Sequence, residues 1–265
     1  YNSIMHYTDD AFSVNGRPTI VSKTHQTIRR NQQLSQGDIY AINTLYPNGL
    51  ITPPTPIAPV TPNNKPIKIY ASVNRWDGKA YLFKDDDYVR YNQYTNRPDL
   101  GYPRQTDGNW RGISWQEIDA AVHWNNGKIY LFKGSEYARY DIANAYVDTG
   151  YPKPIYGNWG GTNNFGMNWS NIDAAVAWNN DKVYFFKDDQ YIRYDIQNHR
   201  VDPGYPKKIS GNWNNFYWNN IDAAINWNNQ KTYFFKDDEY CRYDMQLGRV
   251  DLGYPKKTTD NWIGL

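Results

Sequence analysis

Cysteine is nearly absent: Cys241 is the only one in 265 residues, so no internal disulfide can form. A core of this size can dispense with such staples, and the shortage does not place the protein in the cytosol. Long apolar runs are missing too, none approaching the roughly 18 residues that a membrane-spanning helix needs. Charge of one sign is also lacking. The chain carries 29 Lys and Arg against 27 Asp and Glu, a formal net charge of +2 with the signs interspersed. A dedicated nucleic-acid or polyanion binder would show a basic patch and a pI above about 9, so that class is excluded. Only four histidines occur, His6, His25, His123 and His199, and nothing in the pattern pairs them on one face. Aromatic residues, by contrast, make up 17% of the chain, and all 11 Trp lie beyond residue 67.

That aromatic region repeats itself four times. Three copies open Ile118-Asp119-Ala120-Ala121, Ile172-Asp173-Ala174-Ala175 and Ile221-Asp222-Ala223-Ala224, and a degenerate first copy opens Ile69-Tyr70-Ala71-Ser72. Each continues into an aromatic strand ending in Lys (Lys84, Lys133, Lys187, Lys236), an Arg-Tyr pair, a Gly-Tyr-Pro and an Asn-Trp. The opening Ile residues are 49, 54 and 49 positions apart, within the range of propeller blades. Inside a copy the reading is strand, hairpin turn, alternating aromatic strand, turn, strand, with a short outer segment around the Gly-Tyr-Pro to complete the blade. Small residues at each opening suit the crowded strands nearest a propeller axis, and the large aromatics suit the widening space between blades.

Six of the 15 prolines fall between Pro53 and Pro66. Such density favours an extended semi-rigid spacer, so residues 49–66 are expected to be a linker. Upstream, Ser35 as N-cap, Asp38, and the staple of Leu34 with Ile39 predict a short helix whose stripe is Ile39, Ile42 and Leu45. About 48 residues without a disulfide are too few for a secure core, so residues 1–48 are expected to be the end of a larger domain. The opening at Tyr1, without an initiator Met, is read as truncation or processing.

On its Asp-Ala-Ala openings, Tyr-Phe-Phe-Lys-Asp-Asp strands and Gly-Tyr-Pro-Lys segments, the region 67–265 resembles the hemopexin-like domain. The resemblance implies an all-β, four-bladed β-propeller. Members usually tie the first blade to the last with a disulfide; here that pair is missing, so closure rests on packing. It further implies an axial cation, calcium or sodium, held by the backbone carbonyls of Tyr70, Asp119, Asp173 and Asp222, with a second tier at Ser72, Ala121, Ala175 and Ala224. Carbonyl oxygens suit a hard cation. The alternative is that the three Asp side chains cap turns or pair with neighbouring Arg. The repeated Arg-Tyr-Asp and Lys-Asp-Asp groups recur once per blade at one place, which a structural role explains and catalysis does not. Haem is possible by analogy with serum hemopexin, but the histidines give it no support.

A second resemblance lies at the start. Tyr1-Asn2-Ser3-Ile4-Met5-His6-Tyr7 resembles the Met-turn of the astacin family, and Ala11-Phe12-Ser13, Pro18 to Val21 and Leu34 to Tyr46 follow in the order of the end of such a catalytic domain. By that resemblance residues 1–48 are a truncated α+β metzincin piece, Met5 packs under a zinc in the intact parent, and Tyr7 is an ancillary zinc ligand. The H-E-x-x-H-x-x-G-x-x-H helix that would hold the zinc does not occur in this sequence. The chain by itself is therefore expected to be inactive, without a complete catalytic set. The expected whole is a secreted, extracellular zinc metalloendopeptidase whose propeller holds a protein or extracellular-matrix substrate. The competing expectation is a non-enzymatic binding protein for haem, a small molecule, a glycan or a protein.

Overall fold

In the computed structural model, residues 67–262 are described, apart from 76, 125, 161–168, 179, 180 and 228. They belong to the second of two compact units, Tyr1–Asn63 and Asn64–Leu265. The helix expected from Ser35, the proline-rich segment, Met5, Tyr7 and the extra residues between the second and third copies lie outside the described residues.

Each copy folds as one antiparallel sheet of five strands, and the four sheets are the blades of a propeller. In the first blade the inner strand Ala71–Arg75 pairs with Lys79–Lys84, which pairs with Asp87–Asn92. Two outer strands of two residues, Arg97–Pro98 and Arg104–Gln105, both add to Asp87–Asn92. The sequence reading expected one outer segment around the Gly-Tyr-Pro. Two are found because that tripeptide forms the bend between them. The inner strands Ala120–Trp124, Ala174–Trp178 and Ala223–Asn226 occupy the same place in the other blades.

Hairpin register is set by the turn between the second and third strands. Its first residue has positive φ in every blade, at Asp85, Gly134, Asp188 and Asp237, the left-handed geometry of the two-residue hairpin turn that Gly and Asp tolerate. With that register fixed, alternate side chains of each sheet face the two neighbouring blades. The protein consequently has four apolar clusters, one in each seam, in place of a single centre. A Trp from the end of each copy (Trp110, Trp159, Trp213, Trp262) is buried in each seam. Their indole nitrogens meet no hydrogen-bond acceptor and lie among edge-on rings, an arrangement favoured by the ring quadrupole.

Closure of the ring falls to the seam between the fourth and first blades. There Thr258 Oγ1 donates to the Ile67 carbonyl at 2.9 Å, Gln93 Nε2 donates to the Asn226 carbonyl at 3.3 Å, and Trp227 Nε1 donates to Asn96 Oδ1 at 3.2 Å. Packing alone was expected to close the ring; directional bonds between residues far apart in sequence add to it. Cys241 is buried, and burial pushes its thiol well above the ordinary range, so it acts as a small apolar side chain.

Candidate functional site at the propeller axis

The four inner strands stand side by side around the axis, and the opposite pair Ala71–Arg75 and Ala174–Trp178 approach within 8 Å between Cα atoms. Each is hydrogen-bonded to a partner strand on one side only, so its other edge borders the axial channel. This crowding is why the sequence places Ala121, Ala175 and Ala224 here. Large side chains would not fit.

At one end the channel opens into a mouth of about 320 Å³ lined by Lys68, Tyr70, Asp119, Asp173 and Asp222, with Asn171 and Ile172. The structure thus brings together the four residues expected to form the first tier. The three carboxylates among them, on Asp119, Asp173 and Asp222, cap turns. Asp119 Oδ2 accepts the Gly134 N–H at 2.7 Å, Asp173 Oδ2 that of Asp188 at 2.6 Å, and Asp222 Oδ2 that of Asp237 at 2.6 Å. The charged partners are lysines, where the alternative reading had Arg: Lys133 lies 2.9 Å from Asp119, and Lys68 lies 3.3 Å from Asp222. Lysine serves because Lys133 ends the second strand just below the turn that the Asp caps. Asp173 is different. Burial pushes its carboxyl above the ordinary carboxylate range, opposed by the Asp188 N–H and Lys187 and reinforced by the charges of Asp188 and Asp222. The first blade departs most, with Tyr70 in place of Asp and its ring under the Lys68 ammonium at 5.2 Å.

Deeper in, the bore narrows to about 10 Å³, room for one water-sized sphere, and the second-tier residues Ser72, Ala121, Ala175 and Ala224 line it. Ser72 Oγ, in a residue 2% exposed, has no hydrogen-bond partner. A buried hydroxyl with spare valence at the axis fits a bound ion or water. Asn74, His123, Ala177 and Asn226 line the same bore. His123, which the sequence pairs with no other histidine, is a pocket residue of this bore. It is 7% exposed in the inner strand, and burial, with Arg75 nearby, lowers its pKa to about 4 against the opposing charge of Asp77, so it is neutral at pH 7. His199 lies in an exposed turn of the third blade. Among the described residues, no group of three or more His, Cys, Asp or Glu side chains is placed to hold a metal.

The repeated acidic groups are tied up on the blade sheets. In the third blade Lys182 reaches Asp195 at 2.7 Å and Asp202 at 3.0 Å, and Arg193 binds Asp202 at 2.5 Å. Lys128, Asp141, Asp148 and Arg139 repeat this in the second blade, and Lys231, Asp244, Asp251 and Arg242 in the fourth. Each Arg also stacks on the Tyr of the Gly-Tyr-Pro, as Arg193 does on Tyr205 at 5.3 Å. These carboxylates are partners of fixed cations, as one structural cause per blade requires.

Comparison with known proteins agrees with this architecture. The Hemopexin family pattern matches residues 72–114, 118–164, 172–216 and 221–265, and the pattern of the Astacin peptidase family matches residues 1–47. The chain is 30% identical over 185 residues to an interstitial collagenase of Equus caballus, covering 68% of this chain and 37% of that protein. It is 29% identical over 180 residues to interstitial collagenase A of Mus musculus, covering 66% of this chain and 36% of that one. It thus spans well under half the length of these relatives. Among solved structures, a seed albumin from Lathyrus sativus superposes with TM-score 0.64 at 24% identity, over 73% of this chain and 94% of that one. A plant lectin with two metal binding sites from Cicer arietinum does so with TM-score 0.62 at 25% identity, over 74% and 99%. With its four blades matched in register, and an astacin segment ahead of them, the chain belongs to the hemopexin family.

Proposed function

We propose that this chain is the C-terminal part of a secreted zinc metalloendopeptidase, in which the end of an astacin-type catalytic domain, residues 1–48, is joined by the linker 49–66 to the propeller 67–265. The observation that carries this reading is the order of the two family matches in one chain, Astacin over 1–47 and then the four Hemopexin repeats. Relatives named as collagenases add support. In the parent, zinc would polarise the scissile carbonyl and make its bound water acidic near neutral pH. Of this chain's residues Met5 would sit beneath that metal and Tyr7 beside it. The propeller acts as the exosite: it holds a protein or matrix substrate so that the tethered catalytic domain meets it at raised effective concentration.

Two measurements test this. The coding sequence upstream of Tyr1 is expected to contain an in-frame H-E-x-x-H-x-x-G-x-x-H, and its absence sinks the protease reading. The 265-residue chain is expected to be retained on immobilised collagen or gelatin and to show no peptidase activity. Hydrolysis at the rate of an intact enzyme would overturn the account. The second reading, a binding protein without catalysis, draws on solved propellers that this chain covers almost end to end, at 94% and 99% of their length. Loss of the upstream motif would favour it.

We also propose that calcium or sodium occupies the axial mouth, on the carbonyls of Tyr70, Asp119, Asp173 and Asp222 and, below them, of Ser72, Ala121, Ala175 and Ala224. The raised Asp173 carboxyl supports this, since a nearby cation offsets the cost of burying its charge. Calcium at a hundredfold excess over its Kd should add about 2.7 kcal/mol, a rise of roughly 5–10 °C in Tm that EDTA reverses. An identical melting curve in calcium, sodium and EDTA would count against the ion.

A further inference from the structure

The seam that closes the ring is equipped differently from the other three. In the turn after the third strand, the second, third and fourth blades carry Ile142, Ile196 and Met245 at one position, and Ala143, Gln197 and Gln246 at the next. The first blade carries Gln93 and Tyr94 there, and Asn96 where the others have Ala145, His199 and Gly248. In the middle seams the inner-strand Trp meets a Tyr of the next blade, Trp124 with Tyr194 at 6.0 Å and Trp178 with Tyr243 at 6.1 Å. In the closing seam Trp227 is turned to a polar partner, its indole N–H bonded to Asn96 Oδ1 at 3.2 Å. The result is an open cup of about 540 Å³, the size of a small-ligand site.

The lining states the chemistry. Tyr94, Trp227 and Tyr233 supply ring surface, and Asn96, Asn229 and Asn261 supply carboxamides, each of which both donates and accepts. Among the lining residues there is no carboxylate, so nothing there selects a cation. The one charge, Arg242, is held by Asp251 at 2.6 Å, which leaves an anion little to gain. Tyr94 is 73% exposed, yet it is placed: its ring lies against the backbone at Gly78, where a Cβ would overlap it. The exposed ring of Tyr94, backed by the buried Trp227 and half-buried Tyr233 and set among neutral amides, matches a ligand with an apolar C–H face edged by hydroxyls.

We propose that this cup between the fourth and first blades is a binding site for a neutral saccharide, with a sugar ring stacked on Tyr94 and its hydroxyls on the Asn96 and Asn229 amides. The site is separate from the axial mouth and does not depend on the proteolytic reading. Binding follows from ring burial plus paired hydrogen bonds, with a Kd of order 0.1–5 mM for a trisaccharide. The test is a titration of the full chain, by calorimetry and saturation-transfer NMR, with neutral gluco-, galacto-, manno- and N-acetylglucosamine trisaccharides. A heparin-derived disaccharide and a Gly-Pro-rich peptide serve as the charged and peptidic comparisons.

At least one neutral trisaccharide is expected to bind. Tyr94→Ala should weaken it about tenfold or more, Tyr94→Phe should retain it, and Gln246→Ala, at the same turn position of the fourth blade, should leave it unchanged. Should Tyr94→Ala melt early, Asn96→Asp serves instead: it keeps the acceptor for Trp227, removes the amide donor, and is also expected to weaken binding. No binding by any neutral trisaccharide at about 10 mM overturns the proposal. So does binding indifferent to Tyr94→Ala and Asn96→Asp, or binding of the heparin disaccharide or the peptide alone.

Discussion

Between pH 6.5 and pH 4 the propeller should lose roughly 3 kcal/mol of stability through one side chain, His123. Its pKa in the folded chain is lowered to about 4, by burial in the bore first and by Arg75 second, with Asp77 opposing. An unfolded histidine titrates near 6.5, so between the two values the unfolded state binds the extra proton and stability falls as pH falls. Above about pH 7.5 both states are neutral and this contribution is constant. The check is a series of denaturant unfolding curves at successive pH values on the native chain and on His123→Ala, which installs the residue found at Ala177 in the third blade. Truncation lowers the plateau, but the fall in stability from pH 6.5 to pH 4 should shrink by most of that amount, leaving the share of the carboxylates. An unchanged slope in the variant would refute the assignment.

A second limb lies at lower pH and has a different origin. Asp141 and Asp244 are depressed to about 2, first by Lys128 and Lys231; Lys and Arg partners lower Asp99 and Asp148 against the cost of burial, and Lys182 with Asn198 lowers Asp195. Carboxylates depressed on folding stabilise the protein above their unfolded pKa, near 3.8, and lose that contribution as pH drops towards 2. His123→Ala should leave this limb intact.

Trp159→Ala should cost about 3–5 kcal/mol, or some 6–20 °C in Tm, the range for deleting a fully packed Trp. Trp159 touches Trp124, Tyr130, Phe132 and Tyr137 of its own blade and Phe185 and Tyr194 of the next, with centroids between 5.1 and 5.5 Å. Its loss therefore opens a cavity on both sides of a seam. The side chain accepts no hydrogen bond and its N–H has no acceptor, so apolar volume and edge-on ring contacts carry the effect. A calorimetric melt settles it. A loss below about 1 kcal/mol would mean that the blades collapse onto the gap and that the seams are far more plastic than close packing allows.

Much of this architecture was legible in the chain. The fourfold period, the hairpins and the small residues at the axis follow from alternation and turn chemistry that each copy contains within about 50 residues. The mouth was legible too, because Asp119, Asp173 and Asp222 stand at one repeat position and fourfold geometry brings equivalent positions together. How deeply His123 sits in its pocket was not legible, because its exposure depends on neighbours from other blades. The seam cup was passed over, although its signal was there, in Gln93, Tyr94 and Asn96 departing from the copies. That departure gains meaning only when ring closure sets the first blade against the fourth.

The sequence by itself determined the three inner strands of each blade and the hairpins that join them, the number of blades and the lack of any disulfide clasp, since all of these are local or counted. Tertiary structure alone decided how the ring closes and what the closing seam contains. Thr258 meets Ile67 across 191 residues, and Gln93 meets Asn226 across 133. Contacts over such separations arise from the summed rotation of four packed sheets, and no short pattern in the chain encodes them.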